Sequence, residues 1–123
     1  MSAEVASTVH TAIAWAMVLS NGAAGIWALG ARRWGALRHR SLWWFLGGAW
    51  VLVFAQLTSG VILMRAASVD APAFHVFYGV CCAVAVLFVY AYRQQLEHRR
   101  YELFGLGALF IMGLAIRAMF LGS

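Results

Sequence analysis

Four long apolar runs separated by three short polar or charged segments set the pattern of this chain, at residues 9–30, 42–64, 72–92 and 101–121. Each run matches the ~20 residues a helix needs to cross roughly 30 Å of hydrocarbon. In lipid, a helix also satisfies its own backbone polar groups. The pattern predicts an all-α fold, a transmembrane antiparallel four-helix bundle forming one domain over residues 1–123. The short linkers place chain neighbours side by side and leave no room for a separate soluble domain. Neither an internal repeat nor a phosphate-binding glycine loop is visible.

Small residues punctuate the runs. Gly22, Ala23 and Gly25 in the first allow the close helix contact that in lipid replaces a hydrophobic drive, and the fourth carries Gly105, Gly107 and Gly113. Trp43-Trp44 opens the second run with interface-anchoring aromatics. Pro72 begins the third, where its missing N–H costs nothing. Cys81 and Cys82 are adjacent and point about 100° apart on a helix, which suits packing better than a mutual disulfide.

Composition agrees, with 64% hydrophobic and 11% charged residues. All nine basic residues are arginine, and the net charge of +5 sits mainly in two loops. Arg32, Arg33, Arg38 and Arg40 mark the first loop as cytoplasmic, and Arg93, Arg99 and Arg100 mark the third in the same way. The second loop, with Arg65 and Asp70, then faces outward, and both termini are exoplasmic, in what is expected to be a bacterial plasma membrane. This charge reads as topology and headgroup contact, so the expected partners are the lipid bilayer and a membrane protein or a second copy, not nucleic acid. Residues 1–9 carry only Glu4 as a charge, unlike the basic start of a secretory signal, so the first span is expected to be retained.

Four polar residues inside the runs carry the candidate chemistry: His10, Gln56, His75 and Arg117, one from each helix. At 1.5 Å per residue, both histidines lie within about a turn of the outer boundary, Arg117 about 6 to 8 Å in and Gln56 about 12 Å in. His75 is followed at i+4 by Gly79 and His10 by Ala14, so both helices are narrow one turn beyond the imidazole and a flat group fits between the first and third helices. An arginine at the centre of a span costs about 2.5–3.5 kcal/mol and normally meets an anion or a wet cavity. Two imidazoles and a guanidinium are the set that ligates haem iron and neutralises a propionate. The plainer readings are headgroup-bonded histidines, a snorkelling Arg117 and a Gln56 that bonds between helices. His39 and His98 fall in basic loops, and Met17, Met64, Met112 and Met119 suit packing. Zinc would want further ligands at the same level, where only Glu4 and Asp70 are near.

The chain resembles one half of haem A synthase, whose four-helix half-bundles each use two histidines as haem ligands. The likeness covers nearly the whole chain: a helix with His10, a helix reading Gln56-Leu57-Thr58-Ser59-Gly60, a helix with His75 at its outer start, and an ending with Gly113, Arg117-Ala118 and Gly122-Ser123. The histidines are 65 positions apart, close to the family spacing. Ser7 and Thr11 stand where the family has a glutamate before and an arginine after the first histidine, and one half-bundle lacks the second site a hydroxylating synthase needs. The resemblance implies one haem b per chain, held by His10 and His75 with Arg117 near its propionates, and not a stand-alone enzyme.

The leading expectation is a small membrane haem protein in electron transfer or haem handling. A cofactor-free accessory or assembly subunit of a larger membrane complex is the alternative. A transporter ranks last, because Ser20 and Asn21 are almost all the polarity the inner halves offer.

Overall fold

A computed structural model describes residues 2–122. Four long helices account for nearly all of them: α1 (Ala3–Arg33), α2 (Ser41–Ala67), α3 (Ala73–Ala91) and α4 (Arg100–Gly122). Each is long and apolar enough to cross a membrane. There is no strand among the described residues. Ser123, part of the family-like ending, lies outside them.

The helix ends follow local chemistry. The Ser2 hydroxyl accepts from the Val5 N–H at 3.2 Å and caps α1, so this helix starts six residues before its apolar run. Glu4 in the first turn and Arg32 and Arg33 in the last both oppose the helix dipole favourably. Arg38, from the 3-10 turn that follows, donates to the carbonyls of Ala31 at 2.7 Å and Arg32 at 2.6 Å, closing carbonyls that the helix leaves open. α2 ends at Ser68, whose φ of 54° is left-handed. Pro72 stands just outside α3 as its N-cap residue instead of inside its first turn.

α1 is the hub. In its most apolar stretch 44% of residues are buried, against 22–28% in the other three helices. It packs along both α2 and α4, and α3 packs along α4, whereas α2 and α3 hardly touch. The α1–α4 contact is the tightest, because Gly25 and Gly105 bring two backbones together. A Cβ on Gly25 would lie 3.0 Å from the Gly105 carbonyl oxygen, and one on Gly105 3.2 Å from that of Gly25. Gly22 seats Met112, and Gly107 seats Val89 of α3. Gly113, by contrast, is exposed with open space around it, and Ala23 is exposed too.

The core runs through Ala24, Ala28, Leu42, Leu46, Val53, Cys82 and Ile111. Fully buried Asn21 ties α1 to α2 by donating to the carbonyls of Met17 at 2.9 Å and Ala49 at 3.4 Å. At the basic end, Trp43 packs against Tyr101 and Phe104, and Trp50 stacks on Phe104 at 5.3 Å. Trp43 therefore turns inward, while Trp44 is 81% exposed and alone suits the interface role. Arg32 and Glu102 form an ion pair at 3.0 Å at that same end. The opposite end, where the loop 68–72 joins α2 to α3, holds a cavity.

Candidate functional site

A cavity of about 740 Å³ lies among the four helices at the end away from the basic loops, within the ~300–1,000 Å³ range of small-molecule sites. His10 and Ala14 of α1, Gln56 of α2, and His75 and Gly79 of α3 all line it. Five of the six residues singled out from the sequence thus meet in one place. Most of the rest of the wall is aliphatic, with Val53, Leu57, Val80 and Ala115 among it.

His75 sits in the first turn of α3, and its Nδ1 is 2.6 Å from the carbonyl oxygen of Ala118 near the end of α4. A carbonyl only accepts, so Nδ1 carries the proton and Nε2 presents its lone pair. His10 Nδ1 is 2.8 Å from the Ser59 hydroxyl oxygen, and that hydroxyl is 2.9 Å from the Gln56 carbonyl oxygen and 3.2 Å from Gln56 Oε1. With its one proton given to Gln56, Ser59 accepts from His10 Nδ1–H. The second imidazole then also has a lone pair on Nε2, 3.5 Å from the Gln56 side-chain nitrogen, a long contact that a donor amide suits. The tautomers follow from this network of partners.

The two ring centres are 6.0 Å apart with planes at 70°. That separation leaves about the room that two imidazole nitrogens, each about 2 Å from a shared metal, would need. Two histidines are few for a metal, so a metal group held here would have to bring further ligands of its own. Among the described residues no cluster of three or more His, Cys, Asp or Glu is placed to hold a bare ion.

Glycines shape the two walls differently. A Cβ on Gly60 would lie 3.2 Å from His10 Cε1, so this glycine makes the room in which the ring sits. A Cβ on Gly79 would meet only Leu57, at an ordinary 3.6 Å. Gly79 leaves cavity space rather than permitting helix contact.

Arg117 is not in the lining. It is exposed, on one outward stripe of α4 with Leu106, Phe110 and Gly113, while Ala115 and Ala118 face the cavity. What α4 offers the site is the Ala118 carbonyl. Sequence reading also passes over Ser59 as the partner of His10, although it stands inside the Gln56–Gly60 motif. A backbone carbonyl leaves no sequence signal at all. Comparison of the chain with family models, with curated proteins and with solved structures returned no match.

Proposed function

We propose that this chain is a small integral-membrane haem b protein in which His10 and His75 are the axial ligands of one haem, acting in electron transfer or haem handling with partner proteins. The observation that carries this reading is the pair of imidazoles on opposite helices, centres 6.0 Å apart, each with Nδ1 engaged and its lone pair on Nε2, that of His10 meeting only the long 3.5 Å contact to Gln56. Metal-ligating histidines have this habit, donating their other N–H to a carbonyl or polar side chain. When bound, the haem would supply one-electron iron chemistry, and two imidazoles would leave no open iron position. The protein residues would hold it: Ala118 and Ser59 orient the rings, Gln56 would give up its long contact with His10 Nε2, and the largely aliphatic wall would limit water. In this reading the helices span the membrane, the arginine-rich end is cytoplasmic, and the cavity and both termini are exoplasmic.

Purification from haem-replete cells and a reduced-minus-oxidised spectrum test it. A b-type band is expected, and His10→Ala or His75→Ala should abolish it while the protein stays inserted. Absence of the band, or a band indifferent to both substitutions, rejects the reading.

The second reading, a cofactor-free accessory subunit, draws on the outward stripe of α4, where Gly113 has nothing within 4 Å and a second helix has room to approach. Gly22 and Gly25 are taken up inside the bundle, so Gly113→Leu is the substitution that separates this reading. It should disrupt association while both histidines tolerate replacement.

A further inference from the structure

We infer that Arg65 holds the acidic group of the cavity's ligand and so fixes which edge of that ligand points out of the membrane, an inference that rests on the haem reading above. The cavity is not closed at its outer end. Val61, Met64, Val69 and Asp70 line both it and a second, shallower hollow of about 390 Å³, whose remaining walls are Arg65 and Ser68. The two spaces form one shape, an apolar chamber with a polar annex.

Arg65 stands in the last turn of α2 and is exposed. Among the described residues it makes no ion pair. Ser68, left-handed at the end of that helix, adds a hydroxyl to the same wall. Asp70 is the single acid of both spaces and opposes an anion there. The annex thus presents one guanidinium, one hydroxyl and one carboxylate beside an apolar slot. Its guanidinium is, among the described residues, the single cation in the lining of either space, and so the one able to meet a carboxylate there, the role the sequence would have given to Arg117.

A flat apolar molecule with acidic groups on one edge satisfies both parts of this shape, its body against Leu57 and Val80 and its acid at Arg65. A neutral ring of the same size would use the chamber and leave the annex idle. Charge-assisted hydrogen bonds are stronger than neutral ones, yet an exposed guanidinium is partly screened, so the effect is moderate.

The test is a cycle of two ligands and two proteins. The haem-free full chain in phosphatidylcholine nanodiscs is titrated with haemin and with haemin dimethyl ester, whose propionates carry no charge, and binding is read from the Soret shift. Arg65→Gln should weaken haemin by about three- to ten-fold and leave the ester unchanged. Asp70→Asn should tighten haemin a few-fold, and Arg117→Gln should change neither. Retained ester binding shows that the variant is folded. Equal loss for both ligands, or no loss of haemin, overturns the role given to Arg65 while the haem reading stands, and the second is the result expected if lipid phosphate occupies this arginine instead. Failure of the unsubstituted chain to bind either porphyrin overturns both.

Discussion

Nδ1 of His75 and the carbonyl oxygen of Ala118 are 2.6 Å apart, joining the first turn of α3 to the end of α4. The acceptor is backbone, so no side-chain change can remove it. His10 differs, since its partner is the hydroxyl of Ser59 at 2.8 Å. The two imidazoles are held by unequal means, and the one on α1 is open to mutation.

Ser59→Ala should therefore act on ligand binding more than on the fold. Loss of such an orienting partner costs about 10- to 100-fold in affinity at metal sites. The expected outcome is haem affinity lowered into that range with thermal unfolding little moved. Ser59→Thr, which keeps a hydroxyl, should recover part of it. An affinity equal to that of the unsubstituted chain would show that the contact does not orient the ring.

The two glycines of the cavity should respond unequally to alanine. Gly60→Ala puts a methyl 3.2 Å from His10 Cε1 and must push the ring, while Gly79→Ala meets only Leu57 at 3.6 Å. A weakened or spectrally altered haem site is expected for the first and near-normal binding for the second. Gly79→Leu should block binding by filling the slot. Titration of the three variants under one condition checks the order.

Much of the fold was legible in the sequence because span length is a property of composition. Four runs long enough for a bilayer emerge wherever charges are kept out, and the same count gives α1 to α4. Rotation about each helix axis is harder to read. α4 is apolar nearly all round, so no polar face marks which side turns inward, and Arg117 reads equally well as lining or as outward. His10 and His75 escape that ambiguity because the small residue one turn along, Ala14 or Gly79, marks the same face. Ser59 was hidden for another reason. A helical serine or threonine usually bonds back to its own helix, as Thr58 does to the Phe54 carbonyl at 3.0 Å and Ser59 to that of Gln56 at 2.9 Å, and nothing in the sequence shows that Ser59 also accepts from another helix.

Gly25→Leu should be the most damaging of the glycine substitutions. A Cβ at this position lies 2.6 Å from Leu109 Cγ and 3.0 Å from the Gly105 backbone oxygen. Side chains can shift, but backbone cannot without parting α1 from α4. Overpacking of a filled core costs about 1–3 kcal/mol, and here the upper part of that range or more is expected. Unfolding in detergent, or sensitivity to protease, measures it.

The ion pair between Arg32 and Glu102 should matter little. Its arginine side chain is 64% exposed, and exposed pairs contribute about 0–1 kcal/mol. Glu102→Gln is expected to lower stability by less than ~1 kcal/mol and to leave haem binding untouched. A larger loss would mean that the basic end is held by charge and not by the Trp43, Trp50, Tyr101 and Phe104 rings.

The near-absence of contact between α2 and α3 gives the molecule the mechanics of a book. Its spine is the glycine-lined line where α1 meets α4, its covers are two helical hairpins, and its fore-edge is the seam between α2 and α3, bridged by the short loop 68–72. Parting the covers breaks few packed contacts, so that seam, and not the spine, is where the bundle can widen. Under the proposed haem reading, a group held by a ring from each cover would act as the clasp, and slowed amide exchange in α3 would measure how firmly it had closed.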